Sequence, residues 1–491
     1  MTRREMLSLT VRTLGVGLAS GFTGHTMTSK AKAVHTEGSP MQKLEVSDNK
    51  RFLVKEDGTP FVWIGDTLWV WQKLTLSEIE EYLLKRKEQG LNIVQVRLAG
   101  RPNDRTFNSE GEAPFLAKNR HGQYVLTKPN PKYWSYMDKM IEKFAEHEIY
   151  LAPVLMWGHH WLLEKREEDE LYRYAKWVGH RYRDAKHIIW MTLGEGNHGG
   201  VCKPKVMAAI NGLRDGDTGN KLITIHAAAR MGTSTDFHHE LDFNTWQTSQ
   251  WCAPTDLTFG AKEGNWWTEE GQGDLSVWEV IARDYNRQPT KPVIDAEAWY
   301  EGPSREPPEN VEELKPKPRE FGQGYPSQSY HVRRRAYFTV FAGAFGHTYG
   351  AHGLWIVNRE EQPTWREAME YPGTDQMQYL GRLLKSKPAL TRIPDQSMIV
   401  GGQSNSYNSH IQATRDANGS YAFVYVADGH EFSLDLTGMS GSKVIARWYS
   451  PRDGKNTDIG TIERTRYVSF HPPGTPHFTN DWVLVLEADG E

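Results

Sequence analysis

Two glutamates, Glu195 and Glu297, each come directly after an apolar run that predicts a buried strand. Glu195 follows IIWMTLG, and Glu297 follows PVIDA with Trp299 and Tyr300 close behind. In a dry, aromatic-lined cleft two carboxyl groups can have separated pKa values, so that one is protonated as an acid while the other is ionised as a base or nucleophile. Because glycosidic cleavage requires that division of labour, we predict that Glu195 is the acid/base and Glu297 the nucleophile.

A third carboxylate competes for the second role. Asp295 lies in the same run as Glu297, and alternation along a strand predicts that both side chains point to one side. Glu297 is nearer the end of the strand and is therefore better placed. A single glutamate is more often paired with an arginine or used as a helix cap, but here two stand at the ends of strands that are well separated in sequence.

Polar and aromatic residues also follow the other predicted strands. A lone histidine in such a place is often only a satisfied polar group, whereas together these side chains form a ring that suits a polyhydroxylated ligand. The predicted substrate-binding residues are Asp66, Trp69, Arg97, His159, His160, His226, Trp246, Gln247, Trp299, Tyr300, His352 and Trp355. The histidines of this set could instead gather a metal ion, which leaves a metal-dependent hydrolase as an alternative.

The elements that would position these residues alternate between strands and helices. The first helix begins at a capping-box pattern, Thr75 with Glu78. Eight buried strands, each followed by a helix or crossover, indicate a (β/α)8 barrel whose active site lies at the carboxyl ends of the strands. The predicted strands end at Asp66 or cover residues 93–98, 150–157, 187–193, 222–229, 243–248, 292–298 and 346–355. A doubly wound open sheet is the alternative, but no glycine-rich nucleotide motif follows the first strand.

After about residue 390 the helical periodicity disappears. Short alternating runs such as YAFVYVA, KVIARWYS and WVLVLE, separated by turn residues, predict a β-sandwich. We therefore expect a catalytic barrel with an N-terminal hairpin over residues 34–387 and a sandwich over residues 388–491. The proline-rich segment 302–326 could be a solvated loop or a lid beside the seventh strand.

Composition excludes several classes of protein. The 491 residues carry 58 Lys and Arg against 62 Asp and Glu, a net charge of -4, so no basic field exists to hold nucleic acid. No apolar stretch approaches the length of about 18 residues that a membrane-spanning helix needs. Cys202 and Cys252 are too few for a disulfide framework, and we expect two unpaired thiols. No obligate protein partner is indicated.

The first 33 residues have the order of an export signal. Arg3 and Arg4 precede the run LGVGLASGFTG and a small-residue segment that ends Ala31, Lys32, Ala33. This resembles a twin-arginine signal with an A-x-A cleavage site, which predicts a periplasmic or extracellular enzyme. A frayed terminus that happens to carry two arginines is the alternative.

Other hydrolytic chemistries lack their residues in this chain. His147-Glu148 and His239-Glu240 are not followed by the second histidine of H-E-x-x-H, and no G-x-S-x-G occurs. We therefore predict a reaction that uses carboxylates alone, with no cofactor and no metal ion.

Several separated motifs, in order, resemble those of the apiosidase-like glycoside hydrolases, family 140. They are RFLVKEDGTPFVWIGDTLW, YLLKRKEQGLNIVQV, IIWMTLGE, KPVIDAEAWYEG and TYGAHGLW. The tail from KVIARWYSPRDG to DWVLVLE is similar to the β-sandwich that accompanies that catalytic domain, which has been labelled collagen-binding. The resemblance covers nearly all of the chain after the leader and is more specific for the family than for the substrate.

The resemblance implies a (β/α)8 barrel with a C-terminal sandwich that hydrolyses glycosidic bonds in plant cell-wall pectin, where apiose-linked side chains are the described target. It carries the paired acids over to Glu195 and Glu297. Similar sequences usually have Gly-Gly-Asp where this chain has Leu193, Gly194 and Glu195. The longer side chain preserves the carboxylate but places it about one bond further into the site.

Three hypotheses follow. The first is an exported glycoside hydrolase that cleaves a polysaccharide or oligosaccharide with retention, because the chain resembles barrel glycosidases whose acids after strands four and seven lie close enough for direct attack. The second is a non-catalytic carbohydrate-binding or adhesive protein on the same barrel, and the third is the metal-dependent hydrolase. We expect the sandwich to support the barrel and not to bind collagen.

Overall fold

The computed structural model describes residues 41–99, 106–158, 160–194, 202–218, 221–227, 232–248, 276–302, 328–357, 363–404 and 406–490. All of them belong to one compact unit. The leader, Glu195, His159, Cys252 and the proline-rich segment after Gly302 lie outside the described residues.

The strands and helices alternate through the first part of the chain. The strands are β1 (Leu44–Val46), β2 (Leu53–Lys55), β3 (Pro60–Phe61), β4 (Trp63–Thr67), β5 (Ile93–Ala99), β6 (Tyr150–Trp157), β7 (Trp190–Gly194), β8 (Ile223–Thr224), β9 (Gly232–Thr233), β10 (Asn244–Gln247), β11 (Val293–Asp295), β12 (Tyr300–Glu301), β13 (Gly346–Thr348) and β14 (Gly350–Ala351). The helices are α1 (Leu76–Glu88), α2 (Pro131–Glu146), α3 (His160–Leu163), α4 (Glu168–Arg181), α5 (Lys203–Gly216), α6 (Val277–Tyr285), α7 (Ser329–Phe341), α8 (Trp365–Met369) and α9 (Pro372–Lys385).

Eight parallel strands form a nearly closed barrel, in the order β8-β7-β6-β5-β4-β13-β11-β10. The gap between β8 and β10 is bridged by Asp242 N, which donates to Ile223 O at 2.9 Å, and by Thr224 Oγ1, which donates to Phe243 O at 2.8 Å. The predicted barrel is confirmed, and each predicted strand corresponds to one of these eight.

Local signals explain where the elements begin. Thr75 and Glu78 form the predicted capping box of α1. The predicted hairpin is β2 paired with β3, and Gly58 between them has a φ of 82°, a left-handed conformation that glycine adopts without strain.

The barrel interior is filled by side chains rather than open. Trp63 lies edge-on to Phe243 and Phe345, with ring centroids 6.2 and 6.0 Å away. A Cβ at Gly346 would lie 2.3 Å from Trp63 O, so only glycine allows β13 to approach β4 this closely. This packed lower layer leaves the carboxyl ends of the strands as the place for a site.

The C-terminal region forms two antiparallel sheets. The larger has the strand order β15-β17-β18-β23-β20-β21 and the smaller β16-β19-β22. These strands are β15 (Arg392–Pro394), β16 (Ile399–Gly401), β17 (Ile411–Asp416), β18 (Tyr421–Val426), β19 (Phe432–Leu434), β20 (Lys443–Tyr449), β21 (Asn456–Glu463), β22 (Val468–Phe470) and β23 (Trp482–Ala488). Strands β18, β20 and β23 coincide with the predicted runs YAFVYVA, KVIARWYS and WVLVLE.

Strand β18 of the larger sheet is buried on both faces. Along β18, Ala422, Val424 and Val426 pack into the core between the two sheets. The alternate residues Tyr421, Phe423 and Tyr425 belong to the core that the barrel helices share. Consequently α7 lies between barrel and sandwich, and its residues from Tyr330 to Phe341 are all buried.

In the part of the chain that the structure describes, no helix is long and apolar enough to cross a membrane. Cys202 is a free, buried thiol.

Candidate active site

Glu297 lies two residues beyond β11 and is buried, with 2% of its surface exposed. Tyr300 Oη donates a hydrogen bond to Glu297 Oε1 at 2.5 Å, and Trp69 Nε1 donates to Tyr300 Oη at 2.8 Å. On the other side, His226 Nε2 lies 2.9 Å from Glu297 Oε2. Three predicted site residues, from strands one, five and seven, are therefore brought around one carboxyl group.

The direction of the hydrogen bonds is determined by the tyrosine. Burial, together with the charge of Glu297, raises the pKa of Tyr300 well above its usual value, so the hydroxyl remains protonated. The indole N–H of Trp69 can only donate, which leaves the single tyrosine proton for Glu297. Glu297 Oε1 is consequently an acceptor in this hydrogen bond.

The backbone before Glu297 is held from across the barrel. Gln95 Nε2 donates to Ala296 O at 2.7 Å and to Thr348 Oγ1 at 2.9 Å. Trp63 Nε1 also donates to Thr348 Oγ1, at 3.0 Å. Since these residues lie on β4, β5 and β13, three strands fix the position from which Glu297 projects.

Aromatic side chains line the same end of the barrel. The ring centroid of Trp69 lies 5.1 Å from that of Trp157 and 4.8 Å from that of His226. The Cζ atom of Arg97 lies 5.7 Å from the centroid of the Trp157 ring. Such faces, edged by polar groups, suit the stacking of a sugar ring.

Beside Glu297 and the aromatic rings lies a two-stranded parallel ribbon, β12 with β14, in which Tyr300 pairs with Gly350. A Cβ at Gly350 would lie 2.3 Å from the ring of Tyr300, so the ring packs directly on backbone. The rings of His352 and Trp355 lie 5.9 and 6.4 Å from that of Tyr300.

Two predicted substrate-binding residues lie elsewhere. Asp66 is fully buried behind the barrel, where Arg86 Nε and Tyr82 Oη donate to it at 2.7 and 2.6 Å. Trp246 points outward and donates to Asp284 Oδ2 at 2.5 Å. The physical reason is that side chains alternate between the two faces of a strand. Asp66 on β4 and Trp246 on β10 both point out of the barrel, and a position near the end of a strand does not by itself reveal this direction.

Trp299 and Gln247 are also buried, and neither takes part in the hydrogen bonds around Glu297. The Trp299 centroid lies 5.4 Å from Arg335 Cζ and 5.2 Å from the His331 ring. The side-chain amide of Gln247 makes no hydrogen bond within the described residues.

Asp295 does not share the side of Glu297, contrary to the alternation argument. Its carboxyl accepts from Thr248 N at 3.2 Å and from the Thr248 hydroxyl. Burial raises the pKa of Asp295 to about 6, against the opposing effects of Arg335 and Thr248. The expectation fails because β11 ends at Asp295, and alternation applies only while the chain remains extended.

The other predicted catalytic acid, Glu195, follows β7 immediately and lies outside the described residues, as does His159. His160 is the first residue of α3. Among the described residues there is no group of three or more His, Cys, Asp and Glu that could hold a metal ion.

Sequence reasoning missed Gln95 and Thr348, which position the backbone before Glu297. Gln95 is the one amide in the run IVQVRL. It lies two positions before Arg97, so the alternation of the strand places both side chains on its inward side. A lone polar side chain in the inward phase of a buried strand is a signal that could have identified it.

Comparison with known proteins agrees with this architecture. Residues 47–391 match the family described as "Apiosidase-like, catalytic domain", and residues 393–487 match one described as "Putative collagen-binding domain of a collagenase". No curated protein matches the chain.

Two solved structures are similar along nearly their whole length. One, titled "Glycoside hydrolase", is 29% identical with a TM-score of 0.77 and covers 92% of this chain and 98% of its own. The other, a glycoside hydrolase family 5 protein from Bacteroides vulgatus ATCC 8482, is 30% identical with a TM-score of 0.77 and covers 91% and 94%. The chain therefore belongs to the apiosidase-like family of glycoside hydrolases.

Proposed function

We propose that this glycoside hydrolase cleaves a pectin-type or related plant cell-wall polysaccharide by a retaining mechanism, with Glu195 as acid/base and Glu297 as nucleophile. The observation that carries the proposal is the buried Glu297 carboxyl at the end of the seventh strand, oriented by Tyr300 at 2.5 Å. The family resemblance supports the substrate class, since apiose-linked side chains belong to pectin.

In the first step a carboxylate oxygen of Glu297 attacks the anomeric carbon while Glu195 gives its proton to the glycosidic oxygen. The bond to the leaving group breaks and a glycosyl–enzyme ester forms. In the second step the ionised Glu195 takes a proton from water, whose oxygen attacks the same carbon. This step releases the sugar and restores both carboxyl groups.

The chain's other residues assist without reacting. The Tyr300 hydroxyl donates to Glu297 Oε1 and thereby orients the carboxylate. His226 Nε2 lies 2.9 Å from the other oxygen, Glu297 Oε2. The rings of Trp69 and Trp157 offer an apolar face that would exclude water around the anomeric carbon.

Glu195→Gln and Glu297→Gln test the assignment. Each should lower kcat by about a thousandfold or more without unfolding the protein, because an amide can neither attack nor transfer the proton. Glu146→Gln is a matched control, since Glu146 is an exposed partner of Lys143 at 2.8 Å. Activity within a few-fold of wild type in either test variant would refute the roles.

The substrate and stereochemistry need separate measurements. Wild-type protein should release sugar from at least one pectic polysaccharide in a panel of plant and algal glycans. Proton NMR of the fresh product should show the anomeric configuration of the substrate, and activity should persist with a chelator. An inverted first product, or activity that the chelator abolishes, would replace the mechanism.

We also propose export, on the strength of the leader's residue order alone. Expressed with its first 33 residues, the protein should accumulate outside the cytoplasm, and replacing Arg3 and Arg4 by lysine should retain it inside. Equal export of both forms would contradict a twin-arginine route.

A further inference from the structure

A second glutamate, Glu301, lies directly behind the proposed site. It follows Tyr300 on β12, and only 3% of its surface is exposed. Its carboxyl has other hydrogen-bond partners than Glu297 has, and the mechanism proposed above does not use it. A buried carboxyl group is costly unless its oxygens have partners, so those partners indicate what it does.

Two elements supply hydrogen bonds to Glu301. Tyr349 Oη, next to β14, donates to Oε2 at 2.7 Å, and Gly373 N, in the first turn of α9, donates to Oε1 at 3.1 Å. The backbone of the same residue is engaged as well, because His352 N donates to Glu301 O at 2.8 Å. Glu301 thus joins both strands of the β12–β14 ribbon to a helix that packs on the sandwich side.

The fit at α9 requires glycine. A Cβ at position 373 would lie 2.2 Å from Glu301 Oε2 and 2.6 Å from Val332 Cγ2, a distance at which the carboxyl must move. A free first-turn N–H of a helix is a favourable partner for a carboxyl oxygen. The helix start and the carboxyl are therefore shaped to each other.

The ribbon is also what carries the proposed active-site groups. Tyr300, which donates to Glu297, precedes Glu301, and His352 follows the partner strand. A shift of the ribbon by a few tenths of an ångström would change the Tyr300 to Glu297 contact directly. Misplacement of this size is enough to affect a catalytic step more than binding.

We propose that Glu301 is a positioning residue, whose carboxyl ties the β12–β14 ribbon to the first turn of α9 and thereby holds Tyr300 against Glu297. This inference rests on the proposed hydrolase function for its kinetic consequence. Its structural consequence, a ribbon held in place by Glu301, is independent of the reaction.

The kinetic test compares Glu301→Ala with Glu301→Gln. Alanine should lower kcat about tenfold or more with KM within about twofold, because the nucleophile's orientation is lost while the sugar-binding faces remain. Glutamine should restore kcat to within about threefold of wild type, since its amide oxygen can accept from Gly373 N while its amide NH2 donates to the Tyr349 hydroxyl, which keeps both contacts. Equal loss in both variants, or no loss in alanine, would overturn the proposal.

Two further variants keep the test usable if the alanine variant does not fold. Gly373→Ala displaces the carboxyl without removing it and should lower kcat in the same way, whereas Tyr349→Phe removes one donor and should have a smaller effect. Asp375→Asn is the matched control, because Asp375 lies in the same turn of α9 but accepts from Gln89 Nε2 at 2.9 Å. A control effect as large as that of Gly373→Ala would assign the loss to the helix and refute the proposal.

Hydrogen exchange separates this proposal from the hydrolase function. In Glu301→Ala, amides of residues 350–353 should exchange at least tenfold faster than in wild type, with no such change in Asp375→Asn. Faster exchange in Glu301→Ala, together with a wild-type protein that hydrolyses no glycan, would retain Glu301 as the ribbon's anchor and reject the function. Unchanged exchange in an active enzyme would reject the anchor and retain the function.

Discussion

Two buried carboxylates, one at the barrel's active end and one at the barrel–sandwich interface, have opposite surroundings. Asp481 accepts from Arg333 Nε and Nη2 at 2.7 and 2.6 Å and from Tyr425 Oη at 2.9 Å. Arg452 Nη1 also donates to it, at 3.3 Å. Glu297 has a tyrosine and a histidine beside it, and no Lys or Arg ion pair with a described residue. The first carboxylate is saturated by donors, while the second is oriented but left able to react.

The difference is also electrostatic. Burial acts to raise the pKa of Asp481, but Arg333 and then Arg452 outweigh it and hold the pKa below its usual value. A carboxylate fixed by a two-pronged guanidinium contributes to structure, because both of its oxygens are committed. Sequence position alone does not distinguish the two kinds of residue.

Removing the sandwich should have the largest effect. A chain ending at Lys387 would expose Tyr337 and Phe341 of α7, whose rings lie 4.9 and 6.0 Å from Tyr425 and Phe423. Exposing such rings costs on the order of 10 kcal/mol, comparable to the whole stability of a typical protein. We expect an insoluble or non-cooperatively unfolding barrel by calorimetry, and a soluble, active, cooperatively folded barrel would show this wrong.

Breaking the interface ion pair should come next. Arg333→Met leaves Asp481 buried and without its two-pronged partner, and should lower the free energy of unfolding by about 3–5 kcal/mol. The double variant Arg333→Met with Asp481→Leu should recover part of that loss. Urea unfolding measures both, and Glu297→Gln, at the contrasting carboxylate, should change stability by much less. A loss below about 1 kcal/mol in Arg333→Met would remove the contrast.

Tyr300→Phe tests the active end. The variant leaves Glu297 Oε1 and the Trp69 indole N–H without their partner, so we expect kcat to fall about ten- to a hundredfold. Stability should fall by only about 1–3 kcal/mol, the cost of buried groups left unpaired. Steady-state kinetics with thermal unfolding checks it, and a loss of stability with unchanged kcat would make Tyr300 a structural residue.

The sequence allowed the fold to be predicted because its signals are local. Apolar strands, the Thr75 capping box and the Gly58 turn each act within a few residues, and the barrel follows from their order. Strand β21 was missed because it is an almost fully exposed strand at one edge of its sheet, with no hydrophobic alternation to reveal it.

The site was only partly predictable, because its members depend on side-chain direction at the strand ends. Glu297, Tyr300, Trp69 and His226 do converge, whereas Asp66 and Trp246 point outward. Partners such as Arg86 for Asp66 come from helices, and no spacing in the sequence indicates which arginine will reach which carboxylate.

Glu301 sharpens the comparison as a third kind of buried carboxyl, since it has two uncharged donors and no direct ion pair with a described residue. Burial raises its pKa to about 7 from 4.5, against the opposing effects of Tyr349, the Gly373 amide and the more distant Arg333 and Arg86. Between those two pH values the folded protein holds a proton on Glu301 that the unfolded chain has lost. Stability therefore falls as pH rises from about 4.5 to about 7, the opposite of the behaviour of Asp481.

Glu301→Gln should remove this pH dependence while leaving the other titrating groups, Asp295 among them, in place. Between pH 5 and pH 8 the wild type should lose on the order of 2 kcal/mol more stability than the variant, because most of the effect of a pKa raised from 4.5 to about 7 falls within that range. Urea unfolding of both proteins across that range measures the difference, in which the contributions of all other groups cancel. Parallel curves would mean that Glu301 is ionised in the folded protein at pH 5, which would place it with Asp481 as a saturated carboxylate and remove the third class from the comparison.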